Sequence, residues 1–314
     1  MSEAITSEAI IEAESVPQTT DARIKDVAPL IGRAADYLEL TKPRITALVL
    51  VTTAAGFYLG SLGGFELILF LHTLLGTALV AGGTSAMNQV LERDVDALMP
   101  RTQDRPLPAG RLGLAPATLF AGGMAAVGIA YLAFTVNLLT AVLAALAFVV
   151  YDLMYTPLKR VHSLSTLVGA VPGALPIAGG WAAARGELGP GAWALFGILF
   201  FWQLPHFLAL AWLLREEYRG AGLQMLSVGD PGGRSTRRQS LLYTLALIPA
   251  SLLPTILGLT GALYFWVALA LGIAFVWQTC AFCREATRRG AGRMFRYSIL
   301  YLPVLLVVLA IDKL

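Results

Sequence analysis

Nine runs of mostly apolar residues fix what this chain can become. They lie at about Ile45–Leu62, Phe65–Met87, Leu114–Phe134, Leu138–Tyr155, Leu164–Ala183, Trp193–Leu214, Leu241–Leu259, Ala262–Ala281 and Phe295–Ile311. A helix needs about 20 residues to cross the hydrocarbon core of a bilayer, and each run is close to that length. None alternates in the manner of a strand, and all far exceed the roughly 10-residue segments of a membrane β-barrel. For 314 residues, length alone would suggest two soluble domains; 57% hydrophobic against 14% charged residues overrides that prior. The expected class is an all-α, polytopic membrane protein with nine transmembrane helices.

The connections alternate between long, charged loops (about 92–113, 156–163, 215–240 and 282–294) and short ones near 63, 136, 188 and 260. Of the 23 Lys and Arg residues, 21 fall in the N-terminal segment through Arg44 or in the long loops and their helix edges; Arg185 and Lys313 fall on the other side. The positive-inside rule then predicts a cytoplasmic N-terminus, cytoplasmic long loops and a C-terminus outside. Residues 1–36 carry Glu3, Glu8, Glu12, Glu14, Asp21 and Asp26 and no apolar signal core, so a disordered cytoplasmic tail is expected ahead of a transmembrane domain at 37–314. An acidic start is unlike a mitochondrial presequence and points to a bacterial plasma (inner) membrane. A net charge of +3 spread over one membrane face suits anionic lipid and gives no reason to expect nucleic acid. Cys280 and Cys283 form a C-x-x-C without a second pair, which argues against zinc and reads as helix packing.

Where the second apolar run gives out, the chain reads Asn88-Gln89-Val90-Leu91-Glu92-Arg93-Asp94-Val95-Asp96, then Arg101-Thr102-Gln103-Asp104-Arg105-Pro106-Leu107-Pro108. Charged groups at a span end are costly and tend to face a polar cavity and a ligand. If the helix continues, Asn88, Glu92 and Asp96 at i, i+4 and i+8 share a face. Two carboxylates so placed need a cation between them, and Mg²⁺ typically takes one or two carboxylates plus substrate phosphates. Arg101 and Arg105 follow, with guanidinium forks suited to phosphate. Asp94 points elsewhere, toward a neighbouring arginine. Alone, such a stretch reads as a solvated loop; register, span end and arginines together favour a site.

Other polar groups gather where apolar ones would cost less. Lys42-Pro43-Arg44 opens the first span, either as flanking anchors or as substrate contacts. Tyr155-Thr156-Pro157-Leu158-Lys159-Arg160 closes the fourth, placing two cations on the same membrane face as Glu92 and Asp96. The fifth span holds Gly169, Pro172, Gly173, Pro176, Gly179 and Gly180, consistent with a broken helix beside a chamber or with tight packing. In the sixth, Trp202-Gln203-Leu204-Pro205-His206-Phe207 sets Gln203 and His206 on one face deep in the bilayer, and an intramembrane His is a functional candidate by default. His72 has no such company and reads as structural. Glu217, in Arg215-Glu216-Glu217-Tyr218, is a candidate third carboxylate, with helix-end charge pairing as its rival.

The N-x-x-x-E-x-x-x-D run followed by R-T-x-x-R-P-L-P resembles the first acidic motif of the UbiA-type intramembrane prenyltransferases. Thr41 to Arg44 and Tyr155 to Arg160 support the resemblance, and Trp202 to Phe207 is similar to the haem-modifying branch of that superfamily rather than the quinone branch. The likeness runs from about residue 40 to the C-terminus. It implies nine helices around a central cavity, acidic motifs holding Mg²⁺ and a prenyl diphosphate, and transfer of a farnesyl group from farnesyl diphosphate to a vinyl group of haem b, giving haem O for terminal oxidases. It implies catalytic or metal-binding roles for Asn88, Glu92, Asp96, His206 and Glu217, with Glu92, Asp96 and Glu217 as the metal set. Substrate contacts would come from Lys42, Arg101, Arg105, Tyr155, Lys159, Arg160, Trp202 and Gln203. A haem A synthase or terminal-oxidase assembly proteins would be partners, beside membrane lipid. The chain departs from the family pattern at Glu217, where an Asp is usual, at Gln224 to Val228, and at Ser165-Thr166. The rival readings are a prenyltransferase for a quinone precursor or other aromatic acceptor, a transporter, and a haem chaperone without chemistry.

Overall fold

The computed structural model describes residues 32–61 and 63–314. Among these, nine helices are long and apolar enough to span a membrane: α1 Pro43–Gly60, α2 Leu67–Leu91, α3 Leu114–Thr135, α4 Leu138–Leu158, α5 Ser165–Arg185, α6 Pro190–Leu213, α7 Arg234–Ile256, α8 Ala262–Glu285 and α9 Arg288–Ile311. The protein is a multi-pass membrane protein. Helices satisfy their own backbone groups, which is the condition for crossing lipid. Large apolar side chains such as Phe134 (90% exposed) and Leu119 (76%) therefore point outward without penalty.

Several helices outrun the apolar stretches that announce them. α2 continues to Leu91, α7 begins at Arg234 and α9 at Arg288. Hydropathy ends at the first polar residues, whereas the helix continues: the arginines that open α7 and α9 are exposed, and Asn88 and Gln89 at the end of α2 are buried with protein partners. The tail expected at 1–36 lies mostly outside the described residues; its boundary falls inside a helical segment at 32–40. Leu40 is fully buried, and Gln89 donates to its carbonyl at 3.0 Å, which ties that segment to the end of α2.

α1 packs on α5, α2 on α3, and α6 lies against α5, α7 and α9, with α8 between α7 and α9. A core around Trp181, Tyr264, Phe275, Phe282 and Tyr301 fills the space between α5–α9. α5 is unbroken despite Pro172 and Pro176 inside it. Its glycines serve close approach instead: a Cβ on Gly180 would stand 2.0 Å from the Thr53 carbonyl oxygen, and one on Gly56 1.9 Å from that of Ile177. Small residues let helix backbones meet where lipid provides no hydrophobic drive.

α4 changes its winding partway. Residues Val149–Tyr155 form a π-helix, and the Thr156 hydroxyl closes it by donating to the Tyr151 carbonyl at 2.9 Å. Pro157 next in line has no N–H to give. Widened turns of this kind concentrate at functional sites. On the short-loop face, Lys313 donates to the carbonyls of Tyr58 and Ser61, both at 2.6 Å, and clasps the C-terminus to α1.

Candidate active site

The ends of α1, α2 and α4 converge on the long-loop face. Glu92 departs from helical geometry (φ −99°, ψ 5°), and a short helix Arg93–Asp96 resumes after it. The break is mild enough to keep Asn88, Glu92 and Asp96 on one inward face, at 1%, 9% and 1% exposure. Asp94 turns outward and pairs with Arg93 at 3.0 Å.

Each inward polar group meets a partner from elsewhere in the chain. Lys42 Nζ donates to Asn88 Oδ1 at 2.8 Å. Asn88 Nδ2 donates to Glu92 Oε2 and to Thr156 Oγ1, both at 3.1 Å. Lys159 Nζ donates to Glu92 Oε1 at 2.7 Å, and Arg105 to Asp96 Oδ2 at 2.6 Å. Three cations thus surround two carboxylates at one mouth, an excess of positive charge that suits an anionic ligand.

Electrostatics follow from burial and pairing. Burial pushes the Glu92 carboxyl up, but the charge and hydrogen bond of Lys159, with Lys42 and Asn88, together outweigh it and hold Glu92 below the usual carboxylate range. Burial also opposes the Lys159 ammonium, yet Tyr155, Glu92 and Tyr151 raise it overall. Lys42 has weaker compensation. Burial, then Arg105, lowers it to about 8.

That value gives a pH dependence. A lysine lowered from 10.5 to about 8 is protonated in the unfolded chain and neutral in the folded one between those limits, so its contribution to stability improves as pH rises through that window. Its usefulness to an anion runs the other way. Affinity for a diphosphate anion is expected to fall above pH 8, approaching tenfold per pH unit, with Lys42→Met flat across the same range. Diphosphate binding titrations at pH 7 to 9.5 on both proteins check this; a parallel decline in the variant would remove Lys42 from the explanation.

Below the mouth is a cavity of about 310 Å³ with mostly apolar walls, among them Val49, Thr84, Tyr151, Pro172, Gln203 and Phe207. Tyr155 lines it too and lies under Lys159, whose Nζ is 4.4 Å from the ring centroid. Gln203 donates to the Ala170 carbonyl at 2.8 Å, bracing α6 against α5.

Some expected residues lie elsewhere. Arg160 donates to the Leu91 carbonyl at 2.9 Å and caps the end of α2 rather than entering the mouth. Arg101 stays exposed at the rim, where its charge is felt by Tyr218. Trp202 and His206 do not line the cavity. Trp202 donates to the Ser298 carbonyl at 2.8 Å, His206 Nδ1 lies 2.7 Å from Ser298 Oγ, and the imidazole is sandwiched between Trp202 and Phe295, at centroid distances of 5.1 and 4.7 Å. The i, i+3 relation to Gln203 is real, but the sixth helix is turned so that Gln203 and Phe207 face inward while His206 faces α9.

Glu217 is half-buried, and its Oε2 has no hydrogen-bond partner among the described residues. The structure does not unite it with Glu92 and Asp96: no group of three or more His, Cys, Asp or Glu among the described residues is close enough to hold a metal ion. The oxygen donors of Glu92 and Asp96 are nonetheless the hard type that Mg²⁺ takes beside substrate phosphates, and Glu217 offers a buried, unengaged oxygen. These residues fit such an ion. Two further groups at the site are given no role by the sequence patterns, although Thr156 falls within the Tyr155–Arg160 run. Thr156 links α4 to Asn88. Asp152, in the π-helix, is fully buried with both oxygens unpartnered among the described residues, and the charges of Lys42, Glu92 and Lys159 all act on it. An acid inside an apolar run is the signal that could have found it.

The chain is similar to proteins already known. The protoheme IX farnesyltransferase of Solibacter usitatus (strain Ellin6076) is 45% identical over 287 residues, covering 88% of this chain and 98% of that protein. That of Salinibacter ruber (strain DSM 13855 / M31) is 46% identical over 277 residues, with the same coverages. Among solved structures, one from a study of digeranylgeranylglyceryl phosphate synthase superposes with a TM-score of 0.78 at 16% identity, covering 90% of this chain and 98% of that one. A UbiA homologue from Archaeoglobus fulgidus bound to DMAPP and Mg²⁺ gives 0.64 at 17% identity, covering 87% and 99%. The family model described as UbiA prenyltransferase family matches residues 49–302, which takes in α2 through α8 whole, and with it the acid-bearing end of α2 and the cavity beneath: the chain belongs to the UbiA prenyltransferase family.

Proposed function

We propose that this protein transfers a farnesyl group from farnesyl diphosphate to a vinyl group of protohaem IX, yielding haem O, in the plasma membrane of a bacterium with its long-loop face in the cytoplasm. The observation that carries the chemistry is the cationic mouth over an apolar cavity: Lys42, Arg105 and Lys159 stand where a diphosphate head would sit, and the space below takes the chain. The relatives' name supplies the acceptor and the prenyl length.

The residues divide the work. The C1–O bond of the allylic diphosphate breaks and diphosphate leaves with the electron pair; Lys42, Lys159 and Arg105 neutralise the charge that develops on it. Glu92 and Asp96 would hold a divalent ion, which when bound supplies Lewis-acid stabilisation of that leaving group. Asn88 orients Glu92 through its 3.1 Å bond. The faces of Tyr151 and Tyr155 attract positive charge on the allylic fragment. The vinyl π pair bonds to C1, water adds to the resulting cation, and a proton is released. Apolar walls around the prenyl chain keep water from C1 until then.

Haem extracted from cells expressing the protein should contain haem O by mass spectrometry. Asp96→Asn should cut its formation by about 10²–10³-fold when activity is expressed per folded protein, since the change also takes away the partner of Arg105. Undiminished haem O from that variant would take Asp96 out of the reaction, and absence of haem O from the wild type would refute the acceptor.

A further inference from the structure

The long-loop end of α9 carries four arginines within nine residues, Arg288, Arg289, Arg293 and Arg296, all exposed. Other arginines of this face, among them Arg93, Arg111 and Arg219, are paired with acids, whereas Arg44, Arg101 and Arg234 are exposed without one, so what marks the α9 group is its clustering. None of the four on α9 makes a salt bridge among the described residues. Three of them, Arg288, Arg289 and Arg296, line one groove with Gly292, and its apolar walls are Leu213 of α6 and Phe295. Arg293 does not line it. Phe295 then stacks on His206, and His206 on Trp202, so an aromatic ladder leads from the arginine rim into the bilayer.

We propose that this groove docks the prenyl acceptor by its two carboxylates. The inference rests on the function proposed above and adds to it a place for the acceptor's polar edge. Protohaem IX is flat and apolar over most of its area and bears two propionates on one edge. An arginine rim at the membrane surface matches the propionates, since guanidinium forks bind carboxylates in two-point fashion. The aromatic ladder matches the macrocycle. Anionic lipid is the competing occupant, because basic residues at a membrane face attract acidic headgroups. Lipid needs neither the convergence of three unpaired arginines nor the stacked rings behind them.

The test uses full-length protein in neutral detergent without anionic lipid, and titrates protohaem IX and its dimethyl ester by absorbance, with no farnesyl diphosphate present. The wild type should bind the diacid about tenfold more tightly than the diester, as expected of two or three partly exposed ion pairs. The triple variant Arg288→Gln, Arg289→Gln, Arg296→Gln should lose that preference, leave diester binding within about twofold and leave the KM for farnesyl diphosphate unchanged. Arg293→Gln should match the wild type. Equal wild-type affinity for diacid and diester would overturn the inference, as would equal weakening of both ligands in the triple variant. It would also fail if the triple variant kept its diacid preference but lost binding to phosphatidylglycerol micelles, which would make the groove a lipid site. Wild-type protein that binds neither tetrapyrrole would refute the proposed acceptor itself, a result distinct from a tetrapyrrole bound without regard to its carboxylates.

Discussion

Lys159→Met is expected to reduce kcat/KM for haem O formation by about 10³-fold and to destabilise the folded protein at the same time. The two losses have one origin. Glu92 is 9% exposed, and Lys159 is the cation bonded to it, at 2.7 Å. Removing one member of a buried pair leaves the other charge uncompensated, a cost of about 3–5 kcal/mol. The leaving diphosphate loses a counter-charge in the same stroke. The double variant Glu92→Gln, Lys159→Met separates them. With no charge left stranded its melting temperature in detergent should return most of the way to the wild-type value, while activity stays at the level of the single variant or below. The Lys159 carbonyl, which accepts from Gln224 N at 2.7 Å, is untouched in both, so the loop it anchors is a constant. A single variant as active as the wild type would remove Lys159 from the chemistry. A double variant no more stable than the single would mean that burial of Glu92 depends little on its partner.

Much of this site is legible in the amino-acid sequence, for identifiable reasons. Hydropathy and the arginine–lysine bias put Lys42, Glu92, Asp96, Arg105 and Lys159 on one membrane face, and four-residue spacing puts the acids on one side of a helix. Those are local properties of the chain. The rest depends on how helices are rotated against one another. His206 sits three residues after Gln203, and spacing alone does not tell that the boundary between cavity and α9 runs between them. Arg160 follows Lys159, yet one side chain enters the mouth and its neighbour grips the Leu91 carbonyl, because the chain turns away from α4 at that point. The π-helix at Val149–Tyr155 has no period visible in an apolar run, and both Tyr151 and Tyr155 within it line the cavity. Glu217 lies in a short helix, Arg215–Gly220, whose placement only tertiary packing fixes, so a motif can associate it with a metal ion but cannot supply the distance.

Packing at the α1–α5 crossing has an equally sharp consequence. Gly180→Val is expected to prevent stable assembly of the helix bundle. Even the first carbon of the new side chain would stand 2.0 Å from the Thr53 carbonyl oxygen and 2.8 Å from the Phe57 amide nitrogen. Both are backbone atoms of α1, held by the helix itself, so no rotamer change can make room. Gly56 faces Ile177 in the same way from the opposite helix, which makes the crossing a reciprocal glycine contact with no slack on either side. Overpacked sites that can relax cost about 1–3 kcal/mol; here relaxation requires separating α1 from α5. α1 carries Lys42 at its start, and α5 supplies Pro172 and Gly173 to the cavity, so parting them opens the site as well. The neighbouring Gly179→Ala provides the control, since a Cβ there meets nothing within 4 Å. Detergent-extracted Gly180→Val should elute as aggregate on size exclusion, and Gly179→Ala should elute and melt as the wild type does. Monodisperse, active Gly180→Val would show that α1 and α5 need not approach so closely for the mouth to form.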